Sequence, residues 1–170
     1  MKLDILFRSC DRVDAFTGYP RFLDVPKSEI ILSSLNSLLK SANKSLEHQF
    51  SITVMDDHSS EYTISKIQEI LAKYPRIPSQ ILIIKGSGNG DSLLSSYNYA
   101  RSSFSDLIYF CEDDYIHAPT AIEEMLDIYS VVTKIIQNPE LVVYPSDYID
   151  RYQQMYQSFI FWGNIVIGEP

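Results

Sequence analysis

The sequence is short of positive charge. Its 14 Lys and Arg residues stand against 22 Asp and Glu, a formal net charge of −8. A chain that grips a nucleic-acid backbone needs a basic face, so no nucleic-acid partner is expected. Acid-rich chains can still take phosphates when a cation bridges the two. Cysteine is scarce as well. Cys10 and Cys111 are the only two, with neither zinc-ligand spacing nor the density of a disulfide scaffold. No apolar run approaches the ~20 residues of a membrane helix, so no transmembrane segment is expected. The opening Met1-Lys2-Leu3-Asp4-Ile5-Leu6-Phe7-Arg8 is too short and too charged for a signal peptide. Internal repeats and linkers are missing too. A reduced, cytoplasmic protein is the expectation, with any membrane attachment made through a partner.

What is present suits one globular domain over residues 1–170. An apolar content of 45% with 21% charged residues supports a real core and argues against general disorder. Strand and helix patterns alternate. Residues 2–10 read as a strand ending in Asp11-Arg12. A helix follows from a Ser28 cap, with Ile31, Leu35, Leu38, Leu39 and Ala42 as its stripe. A second strand, 50–55, runs into Asp56-Asp57-His58, and Ser59-Ser60-Glu61 opens a second helix striped by Ile64, Ile67, Ile70 and Leu71. Residues 81–84 form a third strand. Gly86-Ser87-Gly88-Asn89-Gly90 reads as a flexible loop, with Asp91 capping a short third helix that ends near Arg101. A fourth strand at 107–111, a helix over 119–136 and a fifth strand at 141–144 complete the pattern. This is the pattern of a mainly parallel α/β sheet flanked by helices. In such sheets ligands bind beyond the carboxyl ends of the strands, where the strand order reverses. An order 3-2-1-4 makes strands one and four neighbours and brings Cys10 close to Cys111 as packed thiols.

The fourth strand, Leu107-Ile108-Tyr109-Phe110-Cys111, meets Glu112-Asp113-Asp114 without a break. Three adjacent anions at a sheet edge repel one another, and a hard divalent cation with oxygen ligands relieves that repulsion. The plainer reading, acids capping the next helix, needs one acid rather than three. Asp56 or Asp57 can likewise cap the second helix. The glycine-rich segment lacks both dinucleotide and P-loop spacing, and its glycines would let backbone approach a ligand closely. Lys85 and Arg101 are the nearest cations, of the kind more often simply solvated. Tyr144, Tyr148, Tyr152 and Tyr156 recur every four residues before Phe159, Phe161 and Trp162. They suit either a sugar-stacking platform or one buried helix stripe.

Four features in order resemble family 2 glycosyltransferases of the GT-A fold, a Rossmann-like single domain: Arg8-Ser9-Cys10-Asp11-Arg12, Asp56-Asp57-His58-Ser59-Ser60, the glycine-rich segment running into Asn98, and Glu112-Asp113-Asp114 as the Asp-X-Asp-type motif. The resemblance spans about residues 3 to 125. His58 stands where the family has glycine, and no Gln-X-X-Arg-Trp signature of processive enzymes is present. The chain is expected to be a minimal or truncated version, with 1–115 binding the donor and 116–170 on the acceptor side.

The resemblance implies transfer of a sugar from a UDP-, GDP- or dTDP-linked donor to a saccharide or glycoconjugate, as in polysaccharide biosynthesis, with Mn²⁺ or Mg²⁺. It places Asp114 as main metal ligand, with Glu112 and Asp113 turned to metal or ribose. His117 is either a third metal or phosphate contact or a histidine satisfied by backbone at the start of a helix. Arg8, Ser9, Asp11, Asp57, Gly90, Asn98 and Asp113 would line the donor. Asp147 is the candidate base of an inverting reaction; Asp150 is the second candidate unless it pairs with Arg151. Two rival readings share the acidic edge: a Mg²⁺-binding receiver-like module and a nucleotidyltransferase. The acid pair follows strand two rather than one, and no glycine-rich loop follows strand one, which counts against each in turn.

Overall fold

The computed structural model describes residues 1–12 and 25–143, and the backbone of two strands at 159–162 and 165–168. The chain divides into two compact units, Met1–Thr120 and Ala121–Pro170.

The first unit holds β1 (Lys2–Ser9), α1 (Lys27–Lys44), β2 (Gln49–Asp56), α2 (Glu61–Leu71), β3 (Ser79–Ile83), α3 (Gly88–Ala100) and β4 (Leu107–Cys111). Its four strands form one sheet in the order β3-β2-β1-β4, parallel at every pairing. This is the predicted α/β architecture, and the order makes strands one and four neighbours. Leu3, Ile5, Leu6 and Phe7 of β1 and Ile52 and Val54 of β2 are buried, as central strands covered on both faces require. Ile31, Leu35, Leu38, Leu39 and Ala42 seal α1 with one apolar stripe, and Ile67, Ile70 and Leu71 do the same for α2. Right-handed crossovers put α1 and α2 on one face, in contact with each other, and α3 on the other against β1 and β2. From β1 the chain steps outward through β2 to β3, then crosses back over the sheet to lay β4 on the other side of β1. The switch point therefore lies at the carboxyl ends of β1 and β4.

Several boundaries differ from the sequence reading. α1 starts at Lys27 behind Pro26, whose extended backbone occupies the N-cap position without a side-chain bond. Ser28 is thus inside the first turn. Gly88-Asn89-Gly90 is the first turn of α3 rather than a loop. Asp91 therefore lies inside the helix rather than at its cap, and its Oδ2 reaches back to accept the amide of the N-cap residue Ser87 at 3.0 Å. The β3 strand begins two residues earlier than expected, at Ser79. Cys111 pairs with Phe7, three residues before Cys10, so the two thiols are offset by about 10 Å along the strands. Both are free, and Cys10 Sγ lies 3.4 Å from the Asp57 carbonyl rather than against Cys111.

The second unit holds α4 (Ala121–Ile136) and an antiparallel pair, β5 (Phe159–Trp162) with β6 (Ile165–Gly168). Residues 141–143 are not a strand. The Leu141 amide is spent on the Pro139 carbonyl at 2.9 Å, a tight local turn rather than a ladder bond. Tyr144, Tyr148, Tyr152 and Tyr156 lie outside the described residues.

Candidate active site

The carboxyl edge of the sheet gathers two classes of acid. Asp56, at the end of β2, is fully buried. Its Oδ1 accepts the Ser9 hydroxyl at 2.7 Å and its Oδ2 the Ser59 amide at 2.8 Å. Asp11 accepts the Ser60 amide at 3.0 Å and the Ser60 and Thr63 hydroxyls at 2.5 Å each. It therefore caps α2 jointly with Ser60, whose Oγ accepts the Thr63 amide. Partial burial raises the Asp11 pKa, but those Ser60 and Thr63 donors outweigh it and hold the carboxyl below its ordinary value. Asp11 is thus occupied in helix capping.

Asp57 lies at the head of α3. Its Oδ2 accepts the Gly88 amide at 2.6 Å and its Oδ1 faces His58 Nδ1 at 3.1 Å. Gly88 has φ +86°, a left-handed conformation that only glycine adopts freely, and it aims its N–H at Asp57. A Cβ at Gly86 would collide with the Asp91 carboxylate. These two glycines fold the turn tightly enough for it to reach β2. His58 itself has φ +55°, a left-handed conformation that glycine adopts without strain.

The acidic motif after β4 is held by cations. Arg8 Nη2 donates to Glu112 Oε2 at 2.7 Å and to Asn89 Oδ1 at 2.9 Å. Lys27 Nζ, from the first residue of α1, donates to Asp113 Oδ1, while the Cys10 amide donates to Asp113 Oδ2 at 3.0 Å. Burial raises the Asp113 pKa, and Lys27 and the Cys10 amide pull against that shift. Asp114 is exposed. A cleft of about 400 Å³ opens among these groups, lined by Arg8, Ser9, Cys10, Arg12, Lys27 and Asp57, then Ser87, Gly88, Asn89, Ser92, Glu112 and Asp113. Its three cations and three carboxylates balance, in a chain of net charge −8.

The family model described as Glycosyl transferase family 2 matches residues 27–163, well over half of the chain. The chain belongs to glycosyl transferase family 2. No curated protein matches it. The match starts at α1, so β1, which supplies Arg8 to the site, lies ahead of the matched residues. Membership makes the chain a glycosyltransferase, and the receiver-like and nucleotidyltransferase readings give way to it.

In this family 2 chain the cleft brings together Arg8, Ser9, Asp57, Glu112 and Asp113 of the residues expected from sequence. The others lie elsewhere. Gly90 is exposed, with open space around it. Asn98 is exposed in the last turns of α3. His117 Nε2 pairs with the Tyr109 hydroxyl at 2.9 Å, and its backbone amide donates to Ser37 at 2.9 Å. Burial lowers its pKa, and burial pushes the neighbouring Cys111 thiol up to about 12. Asp147 and Asp150 lie outside the described residues. Sequence reasoning missed Lys27, Asn89 and Arg12. Lys27 follows a proline in no recognisable motif, and Asn89 was read as part of a loop. The cleft cations are Arg8, Arg12 and Lys27, whereas Lys85 and Arg101 are exposed outside the lining.

Among the described residues, no group of three or more His, Cys, Asp or Glu side chains converges on a metal position. A Mg²⁺- or Mn²⁺-type ion that takes its other ligands from a diphosphate and water needs only one or two carboxylates. Glu112, whose side chain is 46% exposed, and the exposed Asp114 meet that requirement from solvent-facing positions. Among the described residues, no helix is long and apolar enough to cross a membrane.

Proposed function

We propose that the chain transfers a sugar from a UDP-, GDP- or dTDP-linked donor to a saccharide or glycoconjugate acceptor, with the donor seated in the cleft between β1, β4 and the head of α3. The observation that carries this reading is the meeting of Arg8, Lys27, Asp57 and Glu112-Asp113 around one cleft at the switch point of a parallel sheet.

Glu112 and Asp114 would hold a divalent cation, which supplies neutralisation of the charge that grows on the leaving diphosphate. The chain's own groups do the rest. Asp57 retains free lone pairs beyond its two bonds and accepts from a nucleobase imide or ribose hydroxyl. Ser9 and Asp113 line the donor beside Arg8. Asp147 is the proposed base, taking the proton of the acceptor hydroxyl as that oxygen attacks the anomeric carbon from the side opposite the diphosphate; Asp150 is the runner-up. Inversion of the anomeric configuration follows from such an in-line attack. Residues 116–170 are proposed as the acceptor side.

Calorimetric titration of the wild type and Asp114→Ala with UDP-, GDP- and dTDP-sugars, with Mn²⁺ and then with a chelator, tests the reading. Binding of one nucleotide class that Mn²⁺ strengthens, with the strengthening lost in Asp114→Ala, supports it and names the base. Absence of binding to all three by folded wild type overturns it. Product analysis separates sugar transfer from nucleotidyl transfer.

A further inference from the structure

Arg8 is a guanidinium used to less than half its capacity. Its side chain is only 12% exposed. Nη2 carries both of its bonds, to Glu112 and Asn89. Nε and Nη1 are buried without a hydrogen-bond partner among the described residues. Five donors in a rigid fork match paired anionic oxygens, and donors left unpaired away from water are costly. Lys27 is similarly withdrawn from solvent, its side chain 18% exposed and that of its partner Asp113 11% exposed. Both cations line the same cleft. Both are held there by carboxylates of the acidic motif rather than by backbone carbonyls, so each ion pair can be exchanged for another anion without unfolding the sheet edge.

We propose that Arg8 and Lys27 form a protein-borne phosphate subsite, for which Glu112 and Asp113 serve as place-holding counter-ions until a diphosphate arrives. In this arrangement Arg8 turns its free N–H groups onto the diphosphate oxygens, and Lys27 follows from Asp113. The cleft thereby binds a diphosphate group in the absence of any divalent cation. The inference rests on the proposed donor site but concerns the phosphates alone.

The test is calorimetry with inorganic pyrophosphate in chelator, on the wild type, Arg8→Gln, Lys27→Met, Lys27→Arg and the control Lys44→Met. Lys44 sits at the far end of α1, about 25 Å along the helix from Lys27. Wild type and Lys44→Met should bind equally. Arg8→Gln and Lys27→Met should each bind about tenfold more weakly, and Lys27→Arg should recover most of the loss. Mn²⁺ titrated alone should bind Lys27→Met at least as tightly as wild type, because Asp113 has lost its counter-ion. A fall in pyrophosphate affinity without a fall in Mn²⁺ affinity is not produced by a merely structural lysine. No pyrophosphate binding by wild type, undiminished wild-type affinity in both cleft variants, or a joint fall of pyrophosphate and Mn²⁺ affinity in Lys27→Met overturns the proposal. Pyrophosphate binding that depends on Arg8 and Lys27, with no nucleotide-sugar bound, keeps the subsite and removes the donor reading. Nucleotide-sugar binding indifferent to both variants does the reverse.

Discussion

Two clusters of acids stand within one sheet edge, and they are satisfied in different ways. At the ends of β1 and β2, Asp11 and Asp56 accept from serine and threonine hydroxyls and backbone amides. At the end of β4, Glu112 and Asp113 are met by Arg8 and Lys27. The first kind of partner belongs to the fold and cannot leave without uncapping α2 or opening the β1–β2 edge. The second kind is a long, flexible cation that a competing anion or metal can displace. Identical side-chain chemistry is thus structural in one cluster and exchangeable in the other. Asp57 stands between them, bonded to the Gly88 amide on one oxygen and His58 on the other, yet still in the cleft lining.

The sharpest way to break this contrast is Asp56→Ala. It strands the buried Ser9 hydroxyl and the Ser59 amide and should cost about 2–4 kcal/mol in urea unfolding. Asp114→Ala, at the exposed end of the other cluster, should change stability by less than about 0.5 kcal/mol while removing metal-dependent donor binding. Equal destabilisation by the two variants would erase the distinction. Next in size is Gly88→Ala, expected to cost about 1–2 kcal/mol, because a Cβ strains the left-handed backbone that presents the N–H to Asp57. The open space around Gly88 means that sterics do not add to this. A loss well under that range would show that the turn relaxes.

Asp11→Asn sharpens the comparison through pH. The folded pKa of Asp11 lies below its unfolded value. Its contribution is therefore complete above the ordinary carboxylate value of about 4 and disappears as pH falls through the lowered folded value. The variant should lose about 1 kcal/mol at neutral pH and converge with wild type in acid. A gap that persists at low pH would remove the ionised cap from the account. The smallest effect is expected from His58→Gly, a gain of up to about 1 kcal/mol in thermal or urea unfolding as the φ of +55° becomes unstrained. A loss instead would show that the contact of His58 with Asp57 outweighs the backbone strain.

Much of this was readable in the one-dimensional pattern, because burial period and turn chemistry are local. The β-rich runs 2–9, 49–56 and 107–111, the stripes of α1 and α2, and the placement of Asp57, Glu112 and Asp113 after strands follow from which residues tolerate a core. The glycine-rich turn was misread for a local reason too. Glycine lowers helix propensity, and only the Asp57 and Asp91 contacts draw Gly88–Gly90 into the first turn of α3. The sequence by itself determined an alternating α/β chain with its acids at one edge, and the order of motifs placed it among the family 2 glycosyltransferases. Tertiary structure alone decided which acids are spoken for. Arg8 and Glu112 are 104 positions apart, and Lys27 and Asp113 are 86 apart. Charge pairing over such separations depends on the packing of α1 and the β1–β4 register, and no local spacing encodes it.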